Sequence, residues 1–255
     1  MFTPRWFSLV FLIGSLALHG TSLPGATRND SSAVSSSDES VALGAATTWC
    51  ASRVTADRSG CNEDDARVSS ELIRLGTNGA VIGHVRELTL QILESGNGCS
   101  AWFEEADPSA ADVFRSLHYE LNAAGPEFIL TSADNFGNLL LKHPWGARSL
   151  EDSGRNSFIE INGNGPFFVR KSRVMPLNAF GVIVAPDDLQ PVTIGPYVGA
   201  TAEARVTIML HELGHIVGRL PKDDNSWNGS SSRNTAEVLR HCKKEIHDIA
   251  RQDPR

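Results

Sequence analysis

His211 and His215 stand four residues apart with Glu212 between them, in the run His211-Glu212-Leu213-Gly214-His215-Ile216-Val217-Gly218. On an α-helix, positions four apart share a face, so both imidazoles can converge on one metal ion. Glu212 sits one position round from His211. It can reach a water at that ion without being a ligand itself. The chemistry such a trio suits is metal-assisted hydrolysis. Zinc lowers the pKa of a water from about 16 towards 7, and a neighbouring carboxylate takes the proton and hands it to the leaving amine. A purely structural metal has no need of a Glu beside the first His.

Catalytic zinc takes three protein ligands and keeps a fourth position open. His211 and His215 are two, and Asp223 is the first choice for the third. Asp224 is the local alternative, and Glu237, on an expected C-terminal helix, the distant one. The elements that must position these groups are legible nearby. An apolar run, Val206 to Leu210, leads into the motif, and Thr201 is an acceptable cap for a largely buried helix. Gly214 allows close helix packing, Gly218 suits a left-handed C-cap, and Pro221 blocks continuation. The resulting reversal would bring Asp223 back to the metal.

The chain has 255 residues, 41% hydrophobic and 21% charged, an ordinary globular balance. Its formal charge of −7 argues against nucleic acid or an anionic membrane surface as partner. Arg5 precedes the apolar run Trp6–Leu18, followed by small residues, the pattern of a secretory signal peptide. Cleavage after Ser22 or after Ala26 fits. The apolar run is shorter than the roughly 20 residues needed to span a bilayer, so the expectation is an exported protein, secreted or periplasmic, with no membrane contact after cleavage. Residues 1–22 read as the signal, 23–45 as a flexible Ser-rich linker and 46–255 as a single domain.

Four cysteines, Cys50, Cys61, Cys99 and Cys242, form an even count with no C-x-x-C spacing. In an exported chain this suggests two disulfides, with three possible connectivities. The expected pairing is Cys50–Cys61 as a local loop and Cys99–Cys242 as a long-range staple. Asn29 and Asn228 fit the weak N-glycosylation pattern.

Along the chain, Val68, Leu72, Ile73 and Leu75 repeat at helical spacing up to Gly76, whereas residues 79–93 fit either helix or strand. Asp107-Pro108 opens an expected helix with Val113, Phe114, Leu117 and Leu121 on its apolar face, carrying His118 and Tyr119, and stopped by Gly125-Pro126. Residues 128–131, 157–162, 167–169 and 181–185 read as short strands, with Asn162-Gly163 and Asn164-Gly165 as turns. Residues 234–242 look helical, with Asn234 as a cap. The whole reads as one α+β domain, a small twisted mixed sheet packed on the H-E-x-x-H helix.

The H-E-x-x-H-x-x-G core resembles the metzincin zinc metallopeptidases and their relatives, including snapalysin-like enzymes with an Asp third ligand. The resemblance covers residues 199–224. It implies a metzincin-like fold, a peptide or protein substrate aligned along the sheet edge, zinc on His211 and His215, Glu212 as general base and Gly218 as the turn residue. Pro221 stands where a metzincin has its third His, and no Met follows His215, so a standard metzincin is excluded. The acidic candidate lies two residues later than in the snapalysin pattern. With the tail Asn234-Thr235-x-x-Val238-x-x-His241-Cys242, the chain also resembles a set of secreted bacterial proteins bearing H-E-x-x-H-x-x-G-x-x-P-x-D followed by N-T-x-x-V-x-x-H-C. That likeness favours Asp223 over Asp224 and links Cys242 to an upstream Cys such as Cys99. His241 reads as a packing residue or as a transition-state donor near the zinc. An alternative of another class is a non-catalytic secreted zinc-binding or protein-binding domain that keeps the fold.

Overall fold

In the computed structural model, the residues described are 63–125, 129–133, 139–142, 145–177, 188–223 and 229–253. All belong to one unit, Ser37–Arg255. The signal and linker expectations, Cys50 and Cys61, the strand expected at 181–185, Asp224 and both glycosylation asparagines lie outside the described residues.

Three acidic residues in the first turn and Arg74 in the last complement the dipole of helix α1 (Glu63–Arg74). Residues 79–93 resolve as helix, within α2 (Gly76–Glu94). A Cβ at Gly79 would stand 1.9 Å from the Leu72 carbonyl oxygen, so glycine is what lets α2 start against α1. Helix α3 (Gly98–Glu104) opens with a capping box. The Asn97 side chain accepts from the Cys99 and Ser100 amides, and Ser100 Oγ accepts from the Asn97 amide.

The helix expected from Asp107 to Leu121 is shorter. Helix α4 covers only Ala110–Arg115. Asp107 accepts from the Ser109 amide in a turn ahead of the helix, and Ser116 ends it by bonding back to the Val113 carbonyl. His118 and Tyr119 then lie on strand β1 (His118–Asn122), not on a helix. The cause is non-local: the His118 amide donates to the Ser157 carbonyl, and β1 runs parallel to β5 (Phe158–Asn162). Val113, Phe114 and Leu117 are buried as their spacing predicted.

Among the described residues the remaining strands are β2 (Ile129–Ala133), β3 (Leu139–Lys142), β4 (Ala147–Arg148), β6 (Lys171–Leu177), β7 (Asp188–Pro191), β8 (Thr193–Ile194) and β9 (Tyr197–Val198). One mixed sheet has the order β1-β5-β4, with β4 antiparallel to β5. A second, antiparallel, has the order β2-β3-β6-β7, and β8 pairs with β9 as a hairpin. Alternation sorts the first sheet: Tyr119, Ile159 and Ile161 face the core, while Phe158 and Glu120 face out. The strand expected at 167–169 is instead a turn, because the Phe168 and Val169 amides both donate to the Gly165 carbonyl. Their donors are spent locally, and Phe167 is buried edge-on against Phe168.

Helix α5 (Ala202–Ile216) carries the H-E-x-x-H motif, capped by the Thr201 hydroxyl on the Ala204 amide. Residues 206–216 are all buried. It packs against α2, against α6 (Ser230–Gln252), and against β4, β8 and β9. The result is a mixed α+β domain with small mixed sheets and six helices among the described residues. None of those helices is long and apolar enough to cross a membrane. The Cys99–Cys242 disulfide is present and joins α3 to α6.

Candidate metal centre

Helical spacing does the first part of the assembly. His211 and His215 lie one turn apart on α5, and their Nε2 atoms are 3.0 Å apart. The second part is the turn that follows. Gly218, at φ +68°, occupies the left-handed position. The Gly218 amide bonds to the His215 carbonyl and the Arg219 amide to the Gly214 carbonyl, the two bonds of a Schellman motif. Leu220 folds back onto Gly214, where a Cβ would stand 2.5 Å from the Leu220 Cδ1. The loop before β5 also laces onto the helix end: the Asp152 amide donates to the His215 carbonyl and the Gly154 amide to the Ile216 carbonyl. Carbonyls that a helix end leaves unpaired are thereby satisfied.

The reversal returns Asp223 to the two histidines. Its Oδ2 lies 3.0 Å from His211 Nε2, and its Oδ1 lies 3.5 Å from His215 Nε2. His211, His215 and Asp223 thus form a group able to hold a metal ion. Ligand atoms around tetrahedral zinc at ~2.05 Å stand about 3.3 Å from one another; the two Nε2 atoms, and Oδ2 from His211, are each 3.0 Å apart, while His215 is met at 3.5 Å by the other oxygen, Oδ1.

The electrostatics follow from burial. His211 and His215 are 6% and 5% exposed. For Asp223, burial opposes the charge, but hydrogen bonds from His211 and His215 outweigh it and hold the carboxyl far below the usual range. Burial likewise works against a charged His215, yet the hydrogen bond to Asp223 and the nearby Glu212 raise its pKa. Glu212 is 4% exposed, and burial pushes its carboxyl up, against the pull of His211, Ser149 and His215.

Three residues outside the expected set complete the surroundings. Ser149, just beyond β4, donates from Oγ to Glu212 Oε2 at 2.8 Å and lies 3.2 Å from the Glu212 carbonyl oxygen. Asn234 donates from Nδ2 to Asp223 Oδ1 at 2.6 Å and to the Pro221 carbonyl at 2.8 Å. Thr235 Oγ1 is 3.1 Å from His211 Nδ1. Asn234 is therefore not the cap of its helix; α6 begins a turn earlier, after Gly229. The pair Asn234-Thr235 stood in the tail pattern, but nothing in the spacing of that tail tells which groups it meets.

The other candidates are elsewhere. Glu237 pairs with Arg240 and lies 3.4 Å from His241. His241 stacks on Trp102, with ring centroids 4.8 Å apart and planes 9° from parallel, and the Arg219 guanidinium lies near the same indole, 4.9 Å from its centroid. Comparison with protein-family models, with curated proteins and with solved structures found no match.

Proposed function

We propose that this is an exported zinc-dependent peptidase of metzincin-like arrangement, with His211, His215 and Asp223 holding the ion and Glu212 serving as general base. The observation that carries the reading is the convergence of two imidazole Nε2 atoms and one carboxylate at 3.0–3.5 Å, with a buried carboxylate next in sequence. Two imidazoles and a carboxylate match the donor set of catalytic zinc, with one position left for water. When bound, zinc polarises the substrate carbonyl and eases loss of a water's proton.

The protein's own groups do the rest. Glu212, held at Oε2 by Ser149, takes the proton at its carboxylate and delivers it to the leaving amine. Its burial raises its affinity for that proton, which suits a group that must both accept and return it. The peptide chain would lie along β4, whose residues lead directly into Ser149. The Cys99–Cys242 disulfide supports an oxidising destination.

A digest of a peptide library, with and without chelator, tests the activity. Glu212→Gln should keep its metal and lower turnover by roughly 10²–10⁴-fold, the usual worth of a general base. A wild-type protein that binds zinc but cleaves nothing would shift the assignment to a metal-holding binding domain.

A further inference from the structure

On α6, Ser231 stands three and four residues before the adjacent pair Asn234 and Thr235, which stand four and three before Val238, with Cys242 four beyond it, so they lie along one side of the helix. The face changes character along its length. Val238, Cys242 and Ile246 are fully buried and apolar, and Cys242 is bonded to Cys99 of α3. The first turn is polar, and its partners are the proposed metal ligands. Asn234, 6% exposed, donates to Asp223 Oδ1 and to the Pro221 carbonyl of the same loop. Thr235 meets the ring nitrogen of His211 that faces away from the cluster.

We infer that Asn234 and Thr235 are positioning residues that make the centre competent: Asn234 fixes Asp223 as a one-oxygen ligand, and Thr235 fixes the tautomer and angle of His211. This rests on the metal reading above and adds what selects the third ligand. Asp223 sits on a loop beyond the end of α5, with no helical hydrogen bonds of its own to aim its side chain. Asn234 holds Oδ1 at 2.6 Å, closer than the 3.5 Å from that oxygen to His215 Nε2, and Oδ2 is left facing His211 Nε2 at 3.0 Å. Its second bond, to the Pro221 carbonyl, anchors the backbone two residues upstream, so one amide group sets both loop and carboxylate. Thr235 Oγ1 stands 3.1 Å from His211 Nδ1, where in the metal-loaded protein it would accept from Nδ1–H and leave the Nε2 lone pair for the ion. The H-E-x-x-H helix supplies two donors; the polar turn of α6 decides how well the site closes.

The test uses the full disulfide-bonded protein, stripped of metal and titrated with Zn²⁺ or Co²⁺. Loss of an outer-shell partner costs about 10–100-fold in metal affinity. Asn234→Ala should show that loss, and its Co²⁺ complex should exchange the intense four-coordinate absorption for a weaker, higher-coordinate spectrum. Asn234→Asp keeps the shape but places a carboxylate oxygen against Asp223, so it should bind more weakly than Asn234→Ala. An Asn234→Asp protein with wild-type affinity and spectrum would overturn the inference, since only shape would then matter. Thr235→Val should lose roughly tenfold, with Thr235→Ser restoring it. This pair decides the matter even where the Asn234 variants fold poorly, because equal affinities for Val and Ser also overturn it. If wild-type protein takes up neither ion, the metal reading itself falls. Wild-type binding matched by all the variants sinks only the positioning role.

Discussion

Around Asp65 the domain carries a charge network that closes on itself, and around Asp223 it carries one that does not. Asp65 accepts from Arg86 at 2.6 Å and from Arg115 at 2.8 Å, and Arg115 also pairs with Glu94. Each charge there meets its opposite, and Arg86, with its side chain 5% exposed, is held between α1, α2 and the end of α4. At the other cluster, two carboxylates and two imidazoles gather with no Lys or Arg paired to Asp223 or Glu212 among the described residues. Glu212 is buried and Asp223 partly buried, and the groups balancing them among the described residues are imidazoles rather than fixed charges. The first arrangement needs nothing from outside. The second has donors in surplus and is electrostatically suited to a cation.

Substitutions should separate the two clusters. Asp223→Ala removes a proposed ligand, so it should weaken zinc binding by more than the roughly hundredfold that outer-shell losses cost; dialysis followed by metal analysis reads this directly. Retained stoichiometric zinc in that variant would move the third ligand elsewhere. Arg86→Ala strands Asp65 beside a half-empty network and should cost about 3 kcal/mol in urea unfolding, as breaking a buried pair does. Its zinc affinity should stay at the wild-type value, and a drop would show that the clusters are linked.

The smallest effect is in pH. His215 has a raised pKa in the metal-free protein because Asp223 and Glu212 favour its charged form against burial. That contribution to stability is fully present below the unfolded value of about 6.5 and is lost as pH rises through the raised folded value. Zinc needs the neutral imidazole, so in the metal-loaded protein the same rise in pH strengthens binding. Melting temperatures at pH 6 and 8 should therefore move down without metal and up with it. Parallel movement in both forms would remove His215 from the centre.

What was legible in the chain was what depends on near neighbours. The Thr201 cap, the buried run into His211, the left-handed Gly218 and the return of Asp223 all follow from residues at most about a dozen positions apart. The misread segments answer to distant partners. Leu117 and Leu121 keep helical spacing, but β1 pairs with β5, some forty residues on, and that ladder wins. Phe167–Val169 looked like a strand by composition, yet Gly165 captured two amides and made a turn. Asn234 read as a cap because Asn favours caps. Its actual partners, Pro221 and Asp223, are brought near by the fold. The same distance hid Ser149, which meets Glu212 from 63 residues away.

Cys99 and Cys242 are 143 residues apart, and all nine described strands and the whole of α5 lie between them. A single backbone cut anywhere in that span leaves two fragments that remain one covalent molecule. For a protein that we propose to be an exported peptidase, this matters. A nicked copy keeps its two pieces together at an effective concentration no diffusing fragment could match. It would run as one band on a gel without reductant and as two with it.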